Sequence, residues 1–366
     1  MKQNSDHNKS LLKPAQGTVS WESPANIAIV KYWGKYPVQL PMNPSLSFVL
    51  KNSVVRLRME YHINPGDHFR LDHFSINGHQ NDAFKKRIAG YLEGLDEFFP
   101  FLKHSRLRIQ STSTFPHSAG IASSAAAFSA LALCLCSIES EISPEKPPAG
   151  SKEFFHSASF LARLGSGSAC RSVYDGMVAW GRTPHLEGSS DEYAVRLDDQ
   201  AVDPVFYTLR DTVLIVDSGE KNVSSSAGHA LMQQHPYRSA RKDQAENNLK
   251  QLLNALRQGD LHTFGEVAEN EALSLHGLMM SSNPGYTLMH PNSLRLIEKI
   301  RNFRKENGLP VCFTMDAGPN VHLLYPAEYA GRVTPFIGDE LAGLCENGKW
   351  IDDAMGSGPV KLKEST

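Results

Sequence analysis

Four stretches of this sequence combine small residues, hydroxyls and charges in patterns that suit an anionic ligand. The first is Pro116-His-Ser-Ala-Gly120-Ile-Ala122-Ser123-Ser124, leading into a run of alanines. Small residues let backbone approach a ligand closely, and the stretch ends where a helix should begin. Free N–H groups and the positive end of the helix dipole then face one point, as a phosphate cradle requires. Ser123 and Ser124 add hydroxyl donors there, and Ser124 is placed to reach a Mg²⁺ ion. No Gly-Lys-Ser/Thr follows, so this is not a Walker A loop. An N-capped helix packed by small side chains would read the same way.

The second stretch, Gly165-Ser166-Gly-Ser168-Ala-Cys-Arg171, adds a guanidinium, which holds a carboxylate or phosphate through paired hydrogen bonds. A flexible turn with a surface arginine is the alternative. The third, Asn26-Ile-Ala-Ile-Val-Lys31-Tyr32-Trp33-Gly-Lys35, interleaves two lysines with aromatic rings that could wall an anion from water. A strand end with solvated lysines is its plainer reading. The fourth, Thr314-Met-Asp316-Ala-Gly-Pro-Asn320, puts a carboxylate at a strand end, where it could accept a substrate hydroxyl proton or simply shape a turn. A polar loop, Ser218 to Gly228, could hold a further phosphate, and His276 reads as helix packing. No His/Cys spacing suits a zinc site, and no G-x-S-x-G elbow suits a hydrolase triad.

The elements that must position these residues follow from periodicity. Strands are expected at 19–30 and 107–113, and at 45–50 and 54–61 as a pair. Asn77-Gly78 marks a turn. Helices are expected over 83–102, from Ser123 onward and over 154–164, with a strand opening at Met177. Residues 137–152 read as a surface insertion, with a Pro/Ser/Glu-rich loop from Ser140 to Ser151. The pattern restarts near Thr212: a strand at 213–217, helices at 240–257, 261–281 and 291–307, strands at 312–316 and 321–325, and a helix at 327–344. This order is α+β rather than alternating βαβ. It suggests a tail at 1–17, one domain at 18–205 and a second at 206–366.

The 366 residues carry 37 Lys+Arg against 39 Asp+Glu, a balance that disfavours a nucleic-acid partner. An anionic ligand therefore needs a local cationic pocket. The N-terminal stretch lacks the apolar core of a signal peptide, and the longest apolar run, Ala125 to Cys136, is short for a bilayer span, so no membrane is expected. Five scattered cysteines, with Cys134 and Cys136 on an apolar stretch, read as buried thiols of a reducing, cytosolic compartment.

Taken in order, these segments resemble the mevalonate diphosphate decarboxylases, within the superfamily of galactose, homoserine, mevalonate and phosphomevalonate kinases (GHMP). The resemblance rests on Asn26 to Lys35, Phe115 to Ala126, Gly165 to Arg171, Val223-Ser-Ser225 and Asp316 to Asn320, and it spans most of the chain. It implies a two-domain α+β fold, a ribosomal-protein-S5-domain-2-like N-terminal part and a ferredoxin-like C-terminal sandwich, with the site in the cleft between them. It also implies ATP and Mg²⁺, mevalonate diphosphate as substrate, and a homodimer. Pro116, Ala119, Gly120, Ala122, Ser123 and Ser124 would lie along ATP. Lys31 would stabilise the transferring phosphoryl group, with Ser124 near it. Tyr32, Lys35, Ser166 and Ser168 would hold the substrate's diphosphate end, Arg171 its carboxylate, and Asp316 would face the C3 hydroxyl. Asn26 and Ser225 fall at site positions without a fixed role.

The sequence departs from the family pattern at Pro44, at Ser113-Thr114 before the phosphate loop, and at Ala127, leaving Lys31, Arg171 and Asp316 in place. A kinase that stops at 3-phosphorylation and a decarboxylase of the monophosphate are sibling readings. A non-catalytic binding protein of this fold predicts loss of Asp316 or of the loop serines, which are present.

Overall fold

The computed structural model describes residues 13–115, 123–219 and 222–363. The strands, in chain order, are β1 (Ala15–Val30), β2 (Lys35–Tyr36), β3 (Leu40–Pro41), β4 (Ser45–Ile63), β5 (Arg70–Ile76), β6 (His79–Gln80) and β7 (Ser105–Ser113). They continue with β8 (Met177–Trp180), β9 (Ala194–Arg196), β10 (Leu209–Leu214), β11 (Cys312–Thr314), β12 (Val321–Pro326), β13 (Trp350–Ala354) and β14 (Val360–Lys361). The helices are α1 (Asp82–Glu93), α2 (Ser123–Ile142), α3 (Lys152–Gly165), α4 (Ser225–Leu231), α5 (Arg238–Gln258), α6 (Leu261–Met280), α7 (Pro291–Asn307) and α8 (Ala330–Phe336).

One sheet runs β14-β1-β4-β7-β5-β6, with β8 added to β4 and β9 to β8; a second runs β11-β12-β10-β13. The expected pair of strands at 45–50 and 54–61 is instead the single strand β4, lying along β1 from Leu46 to Ile63. Exposed Lys51-Asn52 imitates a turn in the sequence. The chain runs on because the buried Asp353 carboxylate accepts the N–H groups of Lys51, Asn52 and Ser53 at 2.8–2.9 Å. That carboxylate comes from β13, about 300 residues away, so no local signal could announce it.

Asn77 and Gly78 both adopt left-handed φ, closing the β5–β6 hairpin as expected. The helix expected over 83–102 ends at Glu93, and Pro100 begins a separate 3₁₀ turn. Leu95, Phe99 and Leu102 are buried without continuing the helix. α2 extends through part of the expected insertion. Ser137 is buried on it and accepts the Trp21 indole N–H at 2.9 Å, leaving 143–151 as the loop. At 20 residues and mean hydropathy 1.5, α2 is long and apolar enough to cross a bilayer, but 72% of that stretch is buried inside the protein. Cys134 and Cys136 are free, buried thiols on this helix.

In the second half α7 spans the expected residues, held by a capping box at His290 and a left-handed Gly308. The expected helix at 327–344 is broken into 3₁₀, α and π turns around Pro335. β13 and β14 were not anticipated. β14 returns to the first sheet, pairing Trp21 with Lys361. Between the two sheets, side chains from both halves form one apolar cluster, including Ile27, Phe48, Phe206, Leu249, Leu252 and Phe264. At roughly 1.5–3 kcal/mol per buried large side chain, such a seam holds the halves as one body.

Candidate active site

The site begins where β1 stops being regular. Its register against β4 shifts between Pro24 and Asn26 and again between Ala28 and Val30. Such irregularities re-aim side chains that strict alternation would send elsewhere. Just past the strand, the Lys31 side chain is buried, 2% exposed. Its Nζ donates to the Ala28 carbonyl at 2.5 Å and to Asp316 Oδ1 at 2.8 Å. Burial pulls the Lys31 pKa below the usual lysine range, and the Asp316 charge works against that fall. Asp316 follows β11 and keeps a quarter of its side chain exposed. Its carbonyl accepts from Gly318 N–H at 2.7 Å and from buried His276 Nε2 at 3.1 Å, so His276 supports the turn that presents the carboxylate.

Arg171 approaches from a 3₁₀ turn over Gly167–Val173. It is buried, donates Nε–H to Asn26 Oδ1 at 3.2 Å and hydrogen-bonds Ser45 Oγ. Asn26 is itself fixed through Nδ2, which donates to Ser172 Oγ at 2.8 Å and to the Ser168 carbonyl at 3.2 Å. Among the described residues no carboxylate lies within ion-pair distance of Arg171. Burial pulls its pKa down, the expected direction for a cation without a bound anion.

Lys31, Asp316 and Arg171 face a cavity of about 320 Å³. Asn26, Tyr32, Lys35, Ser124, Ser166, Ser168 and Ser225 line it too. Ser124 Oγ lies 3.3 Å from Ser166 Oγ, so the start of α2 and the end of α3 meet there. Ser123 faces an adjoining apolar crevice with Phe74, Ile109 and Phe128. Pro116, Ala119, Gly120 and Ala122 lie outside the described residues.

Three lining residues escaped the sequence reading. Among the described residues Arg87, on α1, adds a fourth lining cation to Lys31, Lys35 and Arg171, against one lining carboxylate, that of Asp316. Gln39 accepts from Lys35 Nζ at 3.0 Å. His229, on α4, lies between Tyr32 and Trp33, with ring centroids 4.4 and 4.6 Å away. Its Nδ1 accepts the Gly34 N–H at 2.9 Å, and burial, with Lys35 nearby, pushes its pKa down to about 3. None of the three belongs to a motif; only distant chain segments meeting make them neighbours. The Tyr32 hydroxyl is buried with no hydrogen-bond partner among the described residues. A buried polar atom without a partner costs stability, and it lies where a ligand oxygen could satisfy it.

Two packed α+β halves around a cation-lined cavity, with a small-residue helix start on one wall, are consistent with the two-domain, GHMP-like enzyme fold that the resemblance implies. The comparisons narrow this. Residues 23–194 match the diphosphomevalonate decarboxylase-like N-terminal domain, and residues 212–352 match the mevalonate 5-diphosphate decarboxylase C-terminal domain. The diphosphomevalonate decarboxylase of Saccharomyces cerevisiae is 30% identical over 335 residues, covering 87% of this chain and 81% of that one. The crystal structure of mevalonate diphosphate decarboxylase from Staphylococcus aureus superposes with a TM-score of 0.79 at 27% identity, covering 95% of this chain and 99% of that one. A structure described as MDDEF in complex with MVAPP, AMPPCP and magnesium has a TM-score of 0.78 at 28% identity, covering 96% and 100%. This chain belongs to the diphosphomevalonate decarboxylase family.

Proposed function

We propose that the chain catalyses the ATP-dependent decarboxylation of mevalonate 5-diphosphate to isopentenyl diphosphate, releasing ADP, phosphate and CO₂. The observation that carries this reading is an ion pair between buried Lys31 and partly exposed Asp316 at 2.8 Å, sharing one cavity with a buried arginine that has no carboxylate partner among the described residues. The cavity's cations call for a polyanion, and Asp316, which among the described residues is the carboxylate on its wall, is placed to face a hydroxyl. In this reading Tyr32, Lys35, Ser166 and Ser168 take the diphosphate, and Arg171, held by Asn26, takes the substrate carboxylate. Ser225 lines the same cavity.

Asp316 orients the C3 hydroxyl and receives its proton as the C3 oxygen forms a bond to the γ-phosphorus and the bond from that phosphorus to ADP breaks. Lys31 lies on Asp316 and offsets charge on the transferring group. The C3–O bond then breaks with loss of phosphate. The electrons of the bond to the carboxylate, released as CO₂, form the double bond. Asp316 faces the positive character that builds at C3. Mg²⁺, bound to ATP, supplies charge neutralisation at the phosphates. Among the described residues no cluster of acidic, His or Cys side chains could hold it alone. Ser124, whose hydroxyl lines the cavity, would be the side chain within reach of the ion. Ser123, Ser124 and the segment Pro116 to Ala122 take ATP in this reading, as the family resemblance implies. Five free, buried thiols suit a reducing, cytosolic setting, and the homodimer implied by the resemblance is part of the proposal.

The test offers purified protein Mg²⁺-ATP with mevalonate, its 5-phosphate or its 5-diphosphate, and follows ADP, CO₂ and product mass. Isopentenyl diphosphate and CO₂ from the diphosphate alone would establish the reading. ADP without CO₂, or preference for the monophosphate, would move the chain to a sibling activity.

A further inference from the structure

The position of Lys31 depends on a second, deeper ion pair that belongs to none of the chemistry-bearing motifs singled out in the sequence. β1 makes its last pairing with β4 at Val30, so the Lys31 peptide leaves the ladder inside the protein. Its N–H donates to Glu271 Oε2 at 2.8 Å. Its carbonyl accepts from Arg241 Nη2 at 2.9 Å and from Asn43 Nδ2 at 2.9 Å. Arg241, on α5, and Glu271, on α6, are 3% and 0% exposed. They bind each other through two parallel contacts, Nη1 to Oε1 at 2.7 Å and Nη2 to Oε2 at 2.6 Å. Asn248 Nδ2 holds Glu271 Oε1 at 2.6 Å, and Gln244 Oε1 accepts from Arg241 Nη1 at 3.0 Å.

We infer that Arg241 and Glu271 are positioning residues for the reaction: their paired side chains grip the N–H and C=O of Lys31 and so fix where its ammonium stands beside Asp316. The inference rests on the function proposed above. Neither side chain lines the cavity, so neither touches substrate. Two neutral side chains could have satisfied one buried peptide. A buried ion pair is instead costly to desolvate and is weak evidence of added stability. What it offers is geometry: charge-assisted bidentate bonds are short and directional. The pair brings α5 and α6 of the second half onto the end of β1 of the first. It thereby ties Lys31 to the same half that carries Asp316. Misplacement of a reacting group by about 1 Å costs on the order of 10²-fold in rate.

The charge of Glu271 also acts on the Lys31 ammonium in the same sense as Asp316, favouring the protonated form. The charged groups facing Lys31 are Asp316 after β11, Glu271 on α6, Arg241 on α5 and Arg171 from the 3₁₀ turn. Removing Glu271 leaves two cations against one carboxylate.

The test compares the parental chain with Glu271→Gln and with the double variant Arg241→Met/Glu271→Met, measuring kcat, KM, the pH–rate profile and the melting temperature. Glu271→Gln keeps an acceptor for the Lys31 N–H but loses the charge. It should lower kcat by roughly 10–100-fold with KM for both substrates within about twofold. It should also move the basic limb of the kcat profile to lower pH, because Lys31 then loses its proton more easily. The double variant replaces the pair by apolar side chains, an exchange that is often neutral or stabilising. It should melt near the parental temperature while kcat stays at least about 10-fold down. Recovery of kcat together with melting temperature in the double variant would overturn the inference. So would an unmoved basic limb in an otherwise impaired Glu271→Gln. A parental chain that releases no CO₂ would overturn the function and this role with it, whereas active parent and active variants would remove the role alone.

Discussion

Asp316 and Lys31 are partners at 2.8 Å, yet the structure predicts that removing one is not equivalent to removing the other. Lys31 is 2% exposed, whereas Asp316 keeps 25% of its side chain in contact with solvent. Asp316→Asn leaves an ammonium buried, with the Ala28 carbonyl still bonded to it and Arg171 as a nearby like charge. Breaking a buried pair in this way costs about 3–5 kcal/mol, and the partial exposure of Asp316 favours the lower figure. At about 2.1 cal/mol/K per residue, a chain of 366 residues has an unfolding entropy near 0.8 kcal/mol/K, so ~3 kcal/mol lowers the melting temperature by roughly 4 °C. Lys31→Met removes the buried charge itself and leaves a carboxylate that water can reach, so its melting temperature should stay within about 2 °C of the parent. Turnover should fall in both by at least ~10³, since in the proposed mechanism each loses a group facing the reacting atoms. Differential scanning calorimetry and a coupled ADP-release assay read the two effects separately. If Lys31→Met melts lower than Asp316→Asn, the assignment of the buried charge is wrong. If Asp316→Asn keeps a tenth of parental kcat, Asp316 is not the group that receives the hydroxyl proton.

Tyr32→Phe removes a buried hydroxyl that has no hydrogen-bond partner among the described residues. Thermal stability without ligand should hold or rise by up to about 1 kcal/mol, while KM for the diphosphate substrate rises roughly tenfold. A loss of stability with unchanged KM would show that the hydroxyl serves the fold. His229, with its pKa held near 3 against about 6.5 when unfolded, contributes stability that is full above pH 6.5 and is lost as pH falls toward 3. At pH 5 the loss amounts to about 2 kcal/mol. Melting temperature measured from pH 7 to pH 5 should therefore fall more steeply in the parent than in His229→Gln, and parallel curves would refute the assignment.

How much of this was legible beforehand differs element by element. The α7 boundaries, the Asn77-Gly78 hairpin and the small-residue helix from Ser123 follow from local rules, because capping, left-handed turn residues and periodicity act within a few positions. β4 was misread because the pull of Asp353 on Lys51 to Ser53 comes from β13, and the apparent break at Lys51-Asn52 is real only locally. The helix expected past Glu93 failed for a related reason: Leu95, Phe99 and Leu102 keep the spacing of a buried face, but they reach the core from turns.

The site divides in the same way. Its chemical inventory, the two lysines after β1, the arginine after the Gly-Ser-Gly-Ser run and the aspartate before Gly-Pro, is written in short segments, because each residue type must appear at its own strand or helix end. That these ends meet is a tertiary fact: Lys31 and Asp316 are 285 positions apart. So are the lack, among the described residues, of a carboxylate paired with Arg171 and of a partner for the Tyr32 hydroxyl, and the addition of Arg87 and His229 to the cavity wall. The Arg241–Glu271 grip on Lys31 was invisible for the same physical reason. Its two side chains lie on different amphipathic helices, where an arginine and a glutamate ordinarily face water, and only the packing of α5 and α6 onto the end of β1 buries them. Sequence by itself determined which groups the chain possesses and the local backbone that carries them. Burial, pairing and the charge balance of the cavity were decided by the fold, because those quantities depend on what distant segments exclude from water.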